Sequence, residues 1–282
     1  MGPALLIDGK NTAYRAIFAG RGNEEFMKNE YHPFVIWMRF VRMWIEKFKP
    51  SQIHVFWDCP KADVWRKKVL PEYKDNRDDN PHTAEISDML KRLEVTALDI
   101  LPHLNVRLYI RDGQEADDLI YTACRLVTPE KAIVVSSDSD MIQLPWYMPN
   151  ISCYEPRLNK IVDKPELNPV MQKALIGDPT DNIDGYRGIG EVKSANLLRD
   201  PKAMIEFLGV RGDKIYKRNL ALIDLSLNPH RISNELYVYK VMAADTVFDK
   251  DAIQKCIMAH KIKGLTQEYS RSILPFKNLK AD

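Results

Sequence analysis

Residues 4–18 read ALLIDGKNTAYRAIF. Ala4 to Ile7 is an apolar run without alternation, as expected of a parallel strand buried on both faces. Asp8-Gly9 forms its tip, and Asn11 to Phe18 has helical spacing. The same shape recurs along the chain. Ile53 to Trp57 is a second strand closed by Asp58, Val106 to Ile110 a third, and Ala132 to Ser136 a fourth followed by Asp138 and Asp140. Between them lie helical patterns at 34–48, 83–101 and 115–125. The first carries Phe34, Ile36, Trp37, Phe40, Val41, Trp44, Ile45 and Phe48, and Lys49-Pro50 ends it. Strands alternating with helices predict an α/β fold, a central mostly parallel sheet flanked by helices.

Ile151 to Tyr154 and Lys160 to Val162 predict a hairpin at a sheet edge. From about Pro165 the strand signals fade. Helices are expected at 168–176, 191–198, 201–208, 212–224, 233–245 and 249–261, with a loop at 177–190. Beyond about residue 265 no pattern decides. The chain therefore divides into an α/β domain at 1–164 and a helical region at 165–282.

Composition narrows the class. With 282 residues the chain can bury a substantial core. Apolar residues make up 45% and charged residues 28%, an ordinary globular balance. The formal charge of +2 is low for a simple nucleic-acid binder. Acids committed to a metal would leave the remaining surface more basic than that total. Cys59, Cys124, Cys153 and Cys256 lie far apart with no CxxC spacing, which argues against a zinc finger and for free thiols in a reducing compartment. No leader pattern or long apolar run is present, so a cytoplasmic protein is expected, without membrane partners. The six histidines (His32, His54, His82, His103, His230 and His260) fall outside every acidic motif.

Acids at the ends of buried parallel strands converge on the crevice at the carboxyl edge of the sheet. Asp8, Asp58, Asp138 and Asp140 hold such positions. Glu115, Asp117 and Asp118 come together in EADD, and Asp178 and Asp181 in GDPTDN. EADD by itself also reads as surface acids favoured at a helix start, and SSDSD as a turn. Their joint occurrence points to hard divalent cations held by carboxylate oxygens, Mg²⁺ above all, and to phosphoryl transfer.

Two further stretches point to nucleic acid. In GDPTDNIDGYRGIGEVKSANLL, residues 177–198, Gly185, Gly188 and Gly190 permit backbone shapes closed to other residues. Backbone N–H groups opening the following helix can hold a phosphate, with Lys193 and Ser194 adding charge and a hydroxyl. A helical hairpin without a ligand has the same pattern. In Lys61 to Arg77, Trp65 and Tyr73 interleave with Arg66, Lys67, Lys68, Lys74 and Arg77. Aromatics among basic residues suit a strand held by stacking and phosphate contacts; a solvated charged face is the alternative.

Taken in order, LLIDGKNTAYRA, VFWD, WRKKVLPEYKDNR, EADD, SSDSD and the glycine-rich segment resemble the 5′ nuclease or flap endonuclease family. The likeness is to free-standing bacteriophage 5′–3′ exonucleases and the N-terminal nuclease domain of bacterial DNA polymerase I. It runs over roughly residues 4–200, and RNLALIDL at 218–225 resembles a later segment of the phage members. The resemblance implies a helical arch or clamp at about 66–100 above the site, and a helix–three-turn–helix at about 168–198 that binds duplex DNA. It implies two metal sets: Asp8, Asp58, Glu115 and Asp117, then Asp118, Asp138, Asp140, Asp178 and Asp181. Two or more Mg²⁺ ions, replaceable by Mn²⁺, would act there, and K⁺ at the glycine loop. Lys74 and Arg77 match the basic clamp, and Tyr73 its adjacent aromatic. Asp75 departs from the pattern, since many members have Gly after the lysine.

The implied activity is structure-selective 5′–3′ exonuclease and flap endonuclease cleavage in replication and repair. Branched or nicked duplex DNA and RNA–DNA hybrids would be substrates, replication proteins candidate partners, and a stand-alone monomer the expected state. A DNA-junction binding module without catalysis is the main alternative, although all nine carboxylates are present. A small toxin-type RNA nuclease is another, but it would not need the glycine loop or the helical C-terminal third.

Overall fold

The computed structural model describes residues 2–20, 32–78, 83–126 and 131–279. Its centre is a six-stranded sheet in the order β3-β2-β1-β4-β5-β6. The strands are β1 (Ala4–Asp8), β2 (Gln52–Phe56), β3 (Val106–Tyr109), β4 (Ala132–Val135), β5 (Ile151–Glu155) and β6 (Lys160–Ile161). The first five run parallel, and β6 pairs antiparallel with β5 at the edge. β1 pairs with β2 on one side and β4 on the other. The order thus reverses at β1, which opens a crevice beyond the carboxyl ends of β1 and β4.

Side chains alternate between the two faces of the sheet. Leu5, Ile7, Ile53, Val55 and Val106 pack with Ile17, Trp37, Met38 and Leu93. These come from α1 (Gly9–Gly20), α2 (His32–Phe48) and α3 (Thr83–Ile100). Leu6, Phe56, Tyr109 and Val134 pack on the other face against Leu119, Ile120 and Cys124 of α4 (Ala116–Leu126). Burial on both faces is why the strands read as unbroken apolar runs. Thr12 ties the first layer to the site: its hydroxyl donates to the Asp8 carbonyl at 2.6 Å and accepts from the Trp37 indole N–H at 2.9 Å.

The chain then passes through α5 (Gln143–Tyr147) before β5 and β6, and next into α6 (Pro169–Ile176). Asn168 caps α6 by accepting from the Val170 and Met171 N–H groups, with proline at the first helical position. The predicted loop at 177–190 contains a two-stranded hairpin, β7 (Gly177–Asp178) with β8 (Ile183–Asp184). Gly177 has φ 87, and a Cβ there would lie 2.4 Å from the Gly185 nitrogen. A Cβ on Gly185 would lie 2.0 Å from the Ile176 carbonyl oxygen. Both glycines let two backbones touch.

Helices α7 (Glu191–Arg199), α8 (Pro201–Arg211) and α9 (Lys214–Ile223) follow. Ala174, Leu175, Tyr186, Met204 and Tyr216 form a small separate core beneath them. Val238 of α10 (Arg231–Met242) packs back onto the α4 face of the sheet. The last helices are α11 (Lys250–Ala259), α12 (Lys263–Gln267) and α13 (Tyr269–Ser272). Ile253, Ile257, Leu265, Ile273 and Phe276 join the first core layer. A bidentate Arg39–Glu268 pair, at 3.0 and 2.6 Å, fastens this segment to α2. Among the described residues no helix is long and apolar enough to cross a membrane.

Candidate active site

The crevice at the reversal of strand order is a cleft of about 330 Å³ lined by Asp8, Asp58, Glu115, Asp117 and Asp138, with Lys10, Tyr14, Tyr73 and Lys74. The acids arrive on four connections, with Glu115 and Asp117 sharing the one that enters α4. Asp8 ends β1; one carboxylate oxygen accepts from the Asn11 N–H at 3.0 Å, the other from the Ser136 hydroxyl at 2.9 Å. Asp58, two residues past β2, accepts from the Ala116 N–H at 2.8 Å, the first residue of α4. A carboxylate at a helix start is favoured by the unpaired N–H groups there. Asp138 follows β4 and accepts from the Asp140 N–H at 2.9 Å. That bond turns the backbone so that Asp138 and Asp140 diverge into neighbouring sites.

A second carboxylate group adjoins the first. Asp140, Asp178 and Asp181 each place an oxygen within 4.8 Å of the others. Asp178 and Asp181 flank the turn between β7 and β8, and the Asp178 side chain accepts from the Thr180 N–H at 2.9 Å. Lys173 of α6 bridges this group, bonded to Asp140 and, at 2.6 Å, to Asp178. Sequence reasoning missed Lys173. It stands on the helix leading into the GDPTDN acids, and that was the available signal.

The two groups are joined by Tyr73 and Lys74. The Tyr73 hydroxyl lies 3.1 Å from an oxygen of Glu115 and 3.1 Å from one of Asp181. Lys74 donates to Glu115 at 2.5 Å and lies 3.7 Å from Asp181. Its backbone N–H donates to the Asp181 carbonyl at 3.0 Å. Lys74 has φ 60, the left-handed region, which costs a non-glycine residue on the order of 1–3 kcal/mol. The strain falls at a basic side chain that lines the acidic cleft.

The structure corrects several expectations. Arg66 was assigned to nucleic acid, but it is buried at 3% exposure. Its guanidinium binds Glu115 at 2.7 Å and Asp118 at 2.9 Å, and its Nε donates to the Leu222 carbonyl at 2.8 Å. Asp118 was assigned to the second metal set. It belongs to neither the cleft lining nor the second group, and is held by Arg66, the Trp65 indole N–H at 3.1 Å and the Glu115 N–H at 3.1 Å. A carboxylate so saturated has little capacity left for an ion. Asp138 was grouped with Asp140 but lines the first cleft.

Trp65 and Tyr73 are both buried, so neither ring face is open for stacking on bases. Lys67 is engaged with Asp75 at 2.5 Å, so the acid that departs from the family pattern neutralises a basic neighbour. Arg77 belongs to the turn Asp75–Asp78, but its side chain lies outside the described residues, as do residues 79–82 of the expected arch. In the glycine loop, Gly188 has φ 81, and a Cβ on Gly188 or Gly190 would meet nothing. Their backbone therefore faces open space at the start of α7. Gly185 is instead a packing glycine. Lys193 is exposed. Ser194 is fully buried, and its hydroxyl donates to the Glu191 carbonyl at 2.9 Å, so it is not available to a phosphate.

Burial and like charge act together on the open acids. Burial, then Asp58 and Asp138, push Asp8 up to about 7. Burial, with Asp138 and Asp8, holds Asp117 well above the usual carboxylate range. Burial raises Asp140 to about 6 despite Lys173. Glu115 goes the other way: burial would raise it, but Lys74 and Arg66 outweigh that and hold it down at about 2. Crowded, buried carboxylates hold protons more tightly than isolated ones. Oxygen-only donors of this kind suit hard divalent ions.

Fold and site together define a doubly wound α/β protein with a double carboxylate site at the switch point of its sheet. The model of the 5'-3' exonuclease N-terminal, resolvase-like domain matches residues 3–173, and the chain belongs to that family. A 5'-3' exonuclease of Mycoplasma pneumoniae is 29% identical over 95% of this chain and 99% of its own length. The corresponding protein of Mycoplasma genitalium is 31% identical over 71% of this chain and 72% of its own. The bacteriophage T5 D15 flap endonuclease, solved as a pseudo-enzyme-product complex with DNA and metal ions, superposes with a TM-score of 0.65 at 20% identity. That match covers 93% of this chain and 99% of the phage protein.

Proposed function

We propose that the protein is a divalent-metal-dependent 5′–3′ exonuclease and flap endonuclease that hydrolyses phosphodiester bonds in branched or nicked DNA. The observation carrying this reading is a pair of adjoining carboxylate groups, one lining the cleft and one beside it, bridged by Tyr73 and Lys74. Family membership and the fold shared with a flap endonuclease support it. Asp8, Asp58, Glu115, Asp117 and Asp138 would hold one ion, and Asp140, Asp178 and Asp181 a second. Mg²⁺ fits this oxygen donor set, and Mn²⁺ would substitute. When bound, the two ions would activate the attacking water and stabilise the leaving oxygen.

The protein's own residues supply the rest. Lys74, which lies between Glu115 and Asp181, would donate to a nonbridging oxygen of the scissile phosphate. Tyr73 would hold Glu115 and Asp181 in place across the two groups. Arg66 and Asp118 form the buried base on which Glu115 stands. At the far end of the substrate, the open backbone around Gly188 and Gly190, with Lys193 beside it, would grip the duplex through phosphates. A K⁺ ion between that loop and a phosphate fits the same geometry. RNA–DNA hybrids as substrates, replication proteins as partners, a monomeric cytoplasmic enzyme and a division into domains at 1–164 and 165–282 belong to the same reading.

Single-turnover cleavage by Lys74→Ala at saturating enzyme tests it. The expected result is a rate at least 100-fold below wild type, in the range that positioned electrostatic donors supply, with flap DNA still bound. A normal single-turnover rate would remove Lys74 from the chemistry.

A further inference from the structure

Lys10 has no part in the reading above, yet it lies in the cleft. It is the second residue of α1, two residues after Asp8, and its ammonium lies 3.0 Å from Asp58. Among the described residues four cations approach the carboxylate groups, and they differ in freedom. The Arg66 side chain is 3% exposed, that of Lys74 17% and that of Lys173 23%. Each of these three touches two carboxylates. Lys10 is 38% exposed and pairs with Asp58. It is the least confined of the four.

The oxygen of Asp58 that Lys10 holds is one an arriving ion would take, since the other accepts from the Ala116 N–H. A divalent ion at ~2.1 Å attracts a carboxylate about three times as strongly as an ammonium at 3.0 Å under equal screening. The ion therefore wins that oxygen, and the two positive charges then repel. The flexible four-carbon stem lets the ammonium move without disturbing the helix. A phosphate oxygen of a substrate entering the cleft offers the ammonium a new partner.

Resting on the proposed nuclease reading, we propose that Lys10 is a second phosphate-binding residue of the cleft. A divalent ion on Asp58 displaces its ammonium, which then binds a nonbridging phosphate oxygen of the substrate. Lys10 thus competes with the ion when DNA is absent and assists binding when both are present.

The test uses the full chain as wild type, Lys10→Gln and Lys10→Arg, with circular dichroism to confirm equal folding. Calorimetric titration with Mn²⁺ alone should show Lys10→Gln binding the ion several-fold more tightly than wild type. Fluorescence anisotropy with a labelled 5′-flap duplex in Ca²⁺, with gels confirming uncut DNA, should show Lys10→Gln binding about tenfold more weakly. Its salt slope should fall by about one unit, and Lys10→Arg should restore the affinity. In EDTA the Gln variant and wild type should bind alike. Unchanged Mn²⁺ affinity, or an equal loss of DNA binding with and without Ca²⁺, would overturn the proposal. If wild-type protein neither binds nor cuts the flap, the nuclease reading itself fails. If wild type cuts and Lys10→Gln matches it in every arm, the role of Lys10 alone fails.

Discussion

Replacing Arg66 by Met removes a positive charge that is buried with two carboxylates. Glu115 would keep Lys74 and Tyr73 as partners. Asp118 would keep only neutral donors, the Trp65 indole and the Glu115 N–H. Leaving one member of a buried ion pair uncompensated costs about 3–5 kcal/mol. For a chain of this size each kcal/mol shifts Tm by roughly 2–4 °C, so Tm should fall by roughly 6–20 °C. Differential scanning calorimetry in EDTA measures this without any contribution from bound ions. The paired variant Arg66→Met/Asp118→Leu should regain most of the loss, because well-packed apolar side chains often replace a buried pair at little cost. It should also keep divalent-ion binding, since Asp118 lines neither group. An Arg66→Met protein with wild-type Tm and weaker DNA binding would refute the reasoning and return Arg66 to the nucleic-acid surface. Loss of ion binding in the paired variant would restore Asp118 to the metal site.

Stability should also depend on pH in a way that ions reverse. Asp8, at about 7, and Asp140, at about 6, lie above their ordinary value of 3.8. The folded protein therefore binds more protons than the unfolded chain, and these groups destabilise it progressively as pH rises from about 4 to 7. Glu115, at about 2, has the opposite sign: its contribution is present above its ordinary 4.5 and is lost as pH falls towards 2. Thermal melts in EDTA should decline between pH 4 and 7 by an amount on the order of a few kcal/mol, and Mg²⁺ should abolish the decline; a flat EDTA profile would contradict the crowding of charge. Lys193→Ala should weaken binding to many duplex sequences alike and lower the salt slope by about one unit, as anisotropy across a salt series would show. An unchanged slope would separate the glycine loop from the DNA contact.

Much of the fold was legible because the strand tips are local. An unbroken apolar run closed by an acid requires burial on both faces, and β1, β2 and β4 follow it closely. The hairpin at the sheet edge was also legible, although both residues of β6 are exposed. The base of the site was not. Whether Arg66 faces solvent or Asp118 depends on a contact between distant segments, and a basic stretch looks the same either way. Ser194 posed the same difficulty, since a hydroxyl at a helix start serves a phosphate or its own backbone equally well. Lys173 and Lys10 were overlooked because attention to acids leaves their counter-charges unread. The tail was silent in sequence: Ile273 lies between two elements and Phe276 in one too short to show a period. They are placed by tertiary contacts such as the 3.3 Å bond from the Asn105 side chain to the Phe276 carbonyl.

The most direct measurement uses a 5′-flap duplex labelled at either end and incubated with the wild-type protein in Mg²⁺ or in EDTA. Products should be released from the 5′ side in Mg²⁺ and be absent in EDTA, and Asp58→Ala and Asp140→Ala should each bind the flap but leave it uncut. Cleavage that persists in EDTA, or stepwise release of nucleotides from the 3′ end, would contradict metal-dependent 5′ cleavage at this site.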